Sequence, residues 1–150
     1  MKISSLKDLQ KFTIRISEII LPGDYLFLSG EIGVGKTTFA RQLINTFELK
    51  YNIKKSEVLS PTFNILFEYE LKDFIFKHYD LYRLKNAEEI KNLELFENEE
   101  KSITLVEWPE LIKNKPTNRI DLFFKYTQNM KQRILDIKPV GRLKNYEFRI

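Results

Sequence analysis

The first apolar pattern of the chain has the spacing of a helix. Ser5 and Asp8 stand three residues apart ahead of it and form a capping box. Apolar side chains then recur every three or four positions, which predicts a helix with one face on a core. They are Leu6, Leu9, Phe12, Ile16 and Ile19. A turn over residues 21–24 is predicted to follow, because Pro22 and Gly23 suit its two central positions.

A strand, a glycine-rich loop and a second helix are predicted next. Residues 25–28 form a short apolar run, which is typical of a buried strand. Residues 30–37 read G-x-x-x-x-G-K-T, and we call this segment the glycine-rich loop. Apolar residues recur after it at helical spacing as far as about Phe47. This order of strand, loop and helix is the context that a phosphate-binding P-loop requires.

Each residue type of the glycine-rich loop suits the binding of a phosphate chain. The glycines let successive backbone N–H groups point inward, and the helix that begins there adds its positive end. Lys36 can reach the β- and γ-phosphates, and the Thr37 hydroxyl can bind Mg²⁺. The predicted phosphate-binding residues are Gly30, Glu31, Ile32, Gly33, Val34, Gly35, Lys36, Thr37 and Thr38. A chance match in an ordinary turn is disfavoured, because roughly one chain in a few hundred of this length would show it.

Two pairs of predicted strands leave no room for a helix between them. Apolar and polar residues alternate over residues 65–69, and residues 74–82 form a second strand after a tight connection. Residues 120–126 and 133–137 flank a short polar turn. Strands joined so closely run antiparallel, so the sequence predicts two hairpins.

The remaining elements complete an α/β domain. Asn86 is predicted to cap a helix with Glu89 at its third position, and residues 103–106 form a short buried strand. We therefore predict a single domain over residues 1–150, with a three-layer P-loop NTPase fold and a mixed sheet that contains antiparallel hairpins. The last dozen residues are polar and basic, which is typical of a frayed end.

Composition narrows the class of protein. The chain has 150 residues, of which 43% are hydrophobic, and this is enough for one core. It has no cysteine, so it can form neither a disulfide nor a thiolate metal site. The N-terminus lacks a basic-then-apolar signal pattern, and no apolar run approaches the length of a membrane span. We therefore expect a cytoplasmic protein that does not engage a membrane.

Charge is distributed unevenly along the chain. Residues 1–112 carry a net charge of −3, whereas residues 113–150 contain 10 Lys or Arg and 3 Asp or Glu and carry +7. A basic C-terminal hairpin and tail from about residue 113 can bind nucleic acid or an acidic partner. It is equally consistent with solvated strands and a loose tail, so charge alone leaves both interpretations open.

Two carboxylates are placed where they can complete a hydrolytic site. Glu107 directly follows the strand over residues 103–106, and the carboxyl ends of core strands face the phosphates in P-loop folds. It resembles a Walker B carboxylate that binds Mg²⁺, and the alternative is an exposed acid at a strand end. Asp80, late in the second hairpin strand, can orient the attacking water or support the Mg²⁺ shell. The alternative for Asp80 is a salt bridge with Arg83 or a surface position.

Three further residues have more than one interpretation. Thr62 lies in a loop after the second helix, where a threonine can sense the γ-phosphate or simply form a turn. Trp108 is either a core aromatic or an interface anchor. His78 is the only histidine, so it cannot build a metal cluster and is expected to pack or to form a hydrogen bond. Residues 114–117 read N-K-P-T rather than the N-K-x-D of guanine recognition, so nothing favours GTP over ATP.

Five blocks of the sequence together resemble the TsaE (YjeE) family of small bacterial P-loop ATPases, which act in the biosynthesis of threonylcarbamoyladenosine in tRNA. The family pattern is G-D-L-G-A-G-K-T-T, then S-P-T-F/Y, H-x-D-x-Y-R, an E-E-L helix and a strand ending in E-W. The matching blocks are residues 30–38, 60–63, 78–83, 88–90 and 107–108. They occur in the same order and at similar spacing over about residues 5–112. Glu31 stands in place of the usual Asp, and Glu94 stands where glycine is common.

The resemblance implies cofactors and a role for each matching residue. The cofactors are ATP and Mg²⁺. By motif match, Thr37 and Glu107 bind the Mg²⁺ ion, and Asp80 and Lys36 serve hydrolysis. The expected activity is therefore that of an ATPase.

The resemblance also implies that the nucleotide state is passed to partner proteins. Thr62 would lie in a switch-like loop, and Trp108 would lie beside the nucleotide. The family acts with two proteins, TsaB and TsaD, and TsaD transfers the threonylcarbamoyl group to the adenosine next to the anticodon. ATP binding and hydrolysis by TsaE support turnover of that complex, so its ATPase activity alone would be weak and its contact with tRNA would be made through the complex.

Two other functions stay open on the sequence alone. One is a small-molecule kinase of the P-loop type, although no arginine-rich lid segment is found. The other is a nucleic-acid-binding module that uses the basic C-terminal third directly. The sequence also leaves open the oligomeric state, the nucleobase contacts, the partner-binding surface and the step that hydrolysis drives.

Overall fold

The computed structural model describes residues 1–148, in which one seven-stranded sheet is flanked by helices. The helices are α1 (Leu6–Ile19), α2 (Lys36–Lys50) and α3 (Ala87–Lys91). The strands are β1 (Lys2–Ile3), β2 (Tyr25–Gly30), β3 (Leu66–Glu70), β4 (Ile75–Asp80), β5 (Ser102–Glu107), β6 (Arg119–Tyr126) and β7 (Arg133–Val140). Short 3₁₀ turns lie at Glu99–Lys101, Pro109–Leu111 and Gly141–Leu143. None of the helices in this part of the chain is long and apolar enough to cross a membrane.

The sheet is mixed, as predicted, and its strand order is β1-β7-β6-β2-β5-β4-β3. The central strands β6, β2, β5 and β4 are parallel to one another. β3 pairs with β4, and β7 pairs with β6, as antiparallel hairpins, so both predicted hairpins are confirmed. The sequence does not predict β1, because two residues are too few to show a period; only its pairing with β7 defines it.

Side chains alternate between the two faces of the central strands, and each face has its own core. Leu26 and Leu28 of β2 belong to the core that lies under α1 and α2, together with Phe39. Tyr25 and Phe27 belong to a smaller core on the opposite face. That second core is covered by α3 and the turns around it rather than by a long helix, so the third layer of the domain is thin.

The cap predicted for α1 is present, with one shift. Ser5 Oγ accepts the Asp8 N–H at 3.1 Å, while the Asp8 carboxylate accepts the N–H of Ser4 rather than that of the cap residue. Leu6 is 67% exposed, so the buried stripe of the helix begins at Leu9, one turn later than the pattern suggests. The helix therefore packs through its middle.

The segment after β7 is docked against the domain. Leu143 is buried, and the ring of Phe148 contacts the ring of Phe12 on α1 edge-on, with 6.1 Å between the centroids. The predicted frayed end is therefore wrong for residues 141–148, because apolar contacts with α1 hold a segment whose own composition is polar. The final two residues of the predicted tail lie outside the described residues.

Arg142 ties this segment to the start of β2. Its Nε donates to Asp24 Oδ1 at 3.0 Å, and its Nη2 forms an ion pair with the other oxygen of the same carboxylate. Asp24 is 1% exposed and also accepts the Leu21 N–H at 2.7 Å. A carboxylate buried this far needs its charge balanced, so this arginine has a structural role.

Two more basic residues of the C-terminal hairpin are paired with acids. Arg119 Nε lies 3.1 Å from Asp121 Oδ1, and Lys125 Nζ lies 2.6 Å from Asp136 Oδ2. The second pair is well exposed, and such pairs contribute little to stability. Both acids belong to the same region, so these two pairs leave its net charge of +7 unchanged, whereas Arg142 pairs with an acid outside it.

Replacing Arg142 with alanine is expected to lower the free energy of unfolding by about 1–3 kcal/mol, because Asp24 would stay buried without its ionic partner. Urea unfolding followed by circular dichroism measures the change. Lys144→Ala removes the same charge from an exposed neighbouring position and serves as the matched control. Equal unfolding midpoints for the two variants would contradict the role assigned to the ion pair.

Candidate phosphate and metal site

The predicted site residues converge at the carboxyl ends of the parallel strands. β2, β4 and β5 end at Gly30, Asp80 and Glu107, and α2 begins beside them at Lys36. Crevices at this end of a parallel sheet are the usual ligand sites of open α/β folds. A cavity of about 310 Å³ lies there. Its lining residues are Ile32, Gly33, Gly35, Lys36, Thr37, Thr38, Ser60, Thr62, Asp80, Tyr82, Glu107 and Trp108.

The glycine-rich loop takes its shape from residues without a side chain. Gly33 and Gly35 have φ angles of 75° and 118°, in a region that other residues rarely adopt. A Cβ atom at Gly30 would overlap the carbonyl oxygen of Phe124 on β6. Gly35 also precedes α2 without a side-chain cap, so no cap side chain competes with a ligand for the first N–H groups of the helix. A glycine-rich loop followed by an uncapped helix N-terminus is suited to binding an anion.

Lys36 is held inside the cavity by contacts that an anion can replace. The side chain is 4% exposed, and its Nζ donates to the carbonyl oxygens of Gly30 at 2.6 Å and Glu31 at 2.9 Å. The same atom lies 3.8 Å from the centroid of the Trp108 ring, which is a cation–π contact. Burial lowers the pKa of the ammonium group, and the carboxylate of Glu107 opposes this shift. A phosphate group would oppose it further.

The Glu107 carboxylate has a partner on each oxygen. The Thr37 hydroxyl donates to Oε2 at 3.0 Å, and His78 Nε2 lies 2.9 Å from Oε1. Glu107 is 2% exposed and His78 is 0% exposed. The carboxylate is therefore buried and held in one orientation, and it lies beside the first residue of α2 that carries a hydroxyl group. The alternative of an exposed acid at a strand end does not describe it.

Asp80 and Glu107 are paired in the register of β4 and β5, so their side chains leave the sheet on the same face. The Asp80 carboxylate accepts the Thr62 hydroxyl at 2.6 Å through Oδ2 and the Tyr82 N–H at 2.9 Å through Oδ1. It is 3% exposed. The described residues show no ion pair between Asp80 and Arg83, so the salt bridge considered from the sequence is not formed.

Trp108 forms part of the cavity wall. Its φ is 60°, and its backbone N–H donates to the Leu28 carbonyl at 3.1 Å. The left-handed turn directly after β5 directs the indole toward Tyr82, with 4.9 Å between the ring centroids. The residue is partly buried, packs against the smaller core and lies beside Lys36 at the cavity.

Three residues of the predicted phosphate-binding set do not line this cavity. Val34 is 1% exposed, and its side chain belongs to the core under the helices. Its carbonyl oxygen accepts the Arg133 Nε–H at 3.0 Å, so β7 supports the loop from behind. Gly30 and Glu31 line an adjoining groove beside Trp108.

Sequence reasoning did not include three residues that the structure brings to the site: His78, Ser60 and Tyr82. His78 stands two residues before Asp80 on one strand, so the period of two already places both side chains on one face. The expectation that this histidine packs or forms a hydrogen bond is confirmed. Ser60 and Tyr82 belong to the matching blocks 60–63 and 78–83, but no site role was predicted for them, and it is the fold that brings them to the cavity.

The oxygen atoms at the site fit a hard divalent cation such as Mg²⁺. Thr37 Oγ1 and Glu107 Oε2 lie 3.0 Å apart, and both residues line the cavity. Mg²⁺ usually takes one or two protein ligands and completes its shell with water and phosphate oxygens. Residues 1–148 contain no group of three or more His, Cys, Asp or Glu side chains that could hold a metal ion.

The fold and the cavity define an α/β protein with a glycine-rich loop between its central parallel strand and the next helix. The family model described as "Threonylcarbamoyl adenosine biosynthesis protein TsaE" matches residues 3–135 of the chain. The chain belongs to the TsaE family.

Individual relatives agree with this assignment. Over 131 residues the chain is 36% identical to the tRNA threonylcarbamoyladenosine biosynthesis protein TsaE of Rickettsia bellii, an alignment that covers 87% of this chain and 88% of that protein. It is 37% identical over 112 residues to the TsaE protein of Rickettsia conorii, covering 75% of this chain and 62% of that longer relative. The crystal structure of YdiB from Bacillus subtilis has the same fold, with a TM-score of 0.71 and 24% identity, and the match covers 96% of this chain and 86% of that one.

Replacing Thr62 with valine, which keeps the shape and removes the hydroxyl, is expected to release the loop before β3. The lost hydrogen bond to Asp80 contributes about 1 kcal/mol to the free energy of opening this loop. Its loss is expected to raise amide hydrogen exchange over residues 60–65 roughly fivefold. Mass spectrometry of the exchanged peptides measures this rise. The amides of β5 serve as the internal control, and an equal change in both segments would show general destabilisation instead.

Proposed function

We propose that the protein is an Mg²⁺-dependent ATPase of the cytoplasm that supports the threonylcarbamoyl modification of tRNA together with TsaB and TsaD. Membership of the TsaE family supports the pathway. The observation that supports the activity is the convergence of Lys36, Thr37, Asp80 and Glu107 on one cavity at the N-terminus of α2.

The phosphate chain of ATP binds along the glycine-rich loop. Lys36 Nζ exchanges the carbonyl oxygens of Gly30 and Glu31 for phosphate oxygens, to which a charged donor binds more strongly. Because burial lowers the pKa of Lys36 and a nearby negative charge raises it, phosphate binding and protonation of this lysine favour each other. The N-terminus of α2 adds its partial positive charge.

Thr37 and Glu107 hold the Mg²⁺ ion that accompanies ATP. The ion supplies charge neutralisation on the phosphate oxygens when it is bound. The two side chains already share a hydrogen bond at the cavity, so both would be available as ligands of one ion. The low exposure of Glu107 strengthens its attraction for a cation.

Asp80 orients the attacking water. The Tyr82 N–H holds one of its oxygens, which keeps the carboxylate in a single conformation. The other oxygen accepts the Thr62 hydroxyl here, and the same oxygen is suited to accept a proton from water at the cavity. Exchange of one partner for the other links the position of the 60–65 loop to hydrolysis, so Thr62 acts as a switch residue.

The nucleotide state of this domain then controls its partners. In this proposal the domain itself does not transfer the threonylcarbamoyl group; TsaD does so, and tRNA is contacted through the complex. Trp108, whose ring is tilted against that of Tyr82 at the cavity wall, lies where a bound nucleotide changes its surroundings. It is the only tryptophan in the chain, so its fluorescence is a natural probe of binding.

Lys36→Ala is expected to weaken ATP binding about 10- to 100-fold, because it removes charge-assisted hydrogen bonds to phosphate, and to abolish measurable hydrolysis. Isothermal titration calorimetry and phosphate release measure the two effects. Lys72→Ala is the matched control, because it removes the same charge from an exposed turn between β3 and β4 that does not line the cavity. Unchanged binding and turnover in Lys36→Ala would contradict the assignment of the phosphate site.

Depletion of this protein in its own host is expected to lower threonylcarbamoyladenosine in tRNA, and purified TsaB and TsaD are expected to raise its ATP turnover. Mass spectrometry of tRNA nucleosides and a phosphate-release assay measure these outcomes. Normal modification after complete loss of the protein would contradict the proposal. Transfer of the γ-phosphate to a metabolite rather than to water would indicate a kinase.

A further inference from the structure

The His78 side chain has one polar contact in the described part of the chain, and that contact is with Glu107. The imidazole is 0% exposed, and its Nε2 lies 2.9 Å from Glu107 Oε1. Its other nitrogen, Nδ1, is buried and has no hydrogen-bond partner among the described residues. The ring lies on β4, two residues before Asp80, and therefore on the face of the sheet that carries the site.

The direction of this hydrogen bond follows from the chemistry of the two groups. A carboxylate has oxygens that only accept, so the proton of the bond belongs to His78 Nε2. Nδ1 then carries a lone pair, and leaving a lone pair unpaired in the protein interior is less costly than leaving a charged donor unpaired. The ring is thus set as a donor aimed at one oxygen of Glu107.

The two oxygens of Glu107 are consequently not equivalent. Oε1 is bound to a ring that has no access to solvent, whereas Oε2 is bound to the Thr37 hydroxyl at the wall of the cavity. A glutamate at a strand end has three rotatable bonds, and one buried donor is enough to select which oxygen faces the ligand.

We propose that His78 is a positioning residue for the metal-binding carboxylate: its Nε2–H holds Glu107 Oε1 and so presents Oε2, beside Thr37, to the divalent cation. This inference rests on the proposed Mg²⁺–ATP site. Outer partners of metal ligands typically contribute 10- to 100-fold in metal affinity, and the same range is expected for His78.

Three substitutions at this position separate the hydrogen bond from packing. His78→Leu removes the donor. His78→Gln places an amide N–H near the position of Nε2, whereas His78→Asn places it near Nδ1, where it does not reach Glu107. Phe76→Leu, on the same face of β4 and equally buried, is the matched control for loss of packing. Unfolding midpoints identify any variant that does not fold. If His78→Leu fails to fold, the comparison is made between His78→Gln and His78→Asn.

The measurement is the Mg²⁺ dependence of binding of a non-hydrolysable ATP analogue, followed by the fluorescence of Trp108. His78→Leu and His78→Asn are expected to need about 10- to 100-fold more Mg²⁺, and His78→Gln is expected to restore most of the loss. Binding of the analogue without Mg²⁺ is expected to change little in all of them. Equal Mg²⁺ requirements for His78→Asn, His78→Gln and the unaltered protein would overturn the proposal.

A double-mutant cycle shows whether the histidine acts through the carboxylate. In the Glu107→Gln background, His78→Leu is expected to cause no further loss of Mg²⁺ affinity. If the two residues acted independently, the loss in the double variant would equal the product of the two single losses to within about twofold. If the unaltered protein does not bind the analogue at all, the proposed function fails. If it binds with Mg²⁺ and the His78 variants match it, only the role of His78 fails.

A spectroscopic test uses the protein without substitution. Because the chain has a single histidine, the imidazole ¹⁵N signals of untagged protein belong to His78 alone. The expected spectrum shows the proton on Nε2 with a hydrogen-bonded shift, and Glu107→Gln is expected to move that signal. A proton on Nδ1 with none on Nε2 would overturn the assignment of the donor.

Discussion

The burial of the Glu107 carboxylate is the constraint on which the site depends. The group is 2% exposed at the end of a central strand, where an unpaired charge is strongly unfavourable. Thr37 and His78 each bind one of its oxygens, so α2, β4 and β5 are joined at a single side chain. Because both oxygens of the carboxylate are hydrogen-bonded while Glu107 still borders the cavity, the group is held there in a fixed orientation, as the proposed metal role requires.

The topology of the sheet determines which other groups stand beside that carboxylate. β4 and β5 are parallel neighbours in register, so Asp80 and Glu107 end their strands together and leave the sheet on the same face. The glycine-rich loop reaches this edge from β2, on the other side of β5. The glycine-rich loop and the two carboxylates therefore line one cavity, and the loop that carries Thr62 is linked to them by one hydrogen bond to Asp80.

The basic C-terminal region has a structural use that charge alone did not reveal. Arg133 binds the carbonyl oxygen of Val34 behind the glycine-rich loop, and Arg142 balances the buried carboxylate of Asp24 before β2. Both contacts support the strand and loop that carry the proposed phosphate site. The C-terminal region thus supports the candidate site from behind. Membership of the TsaE family connects the protein with the biosynthesis of threonylcarbamoyladenosine in tRNA.

Local patterns in the sequence were sufficient to predict the glycine-rich loop, both hairpins and the cap of α3 by Asn86, because each of these features depends on residues a few positions apart. They also led to Asp80 and Glu107 as candidates. Only the tertiary structure decided that Glu107 is buried between Thr37 and His78, and that the segment after β7 is docked. The partners in these contacts are distant in sequence, 29 residues apart for His78 and Glu107 and 118 for Asp24 and Arg142. Such contacts follow from the order of strands in the sheet, which no short-range pattern encodes.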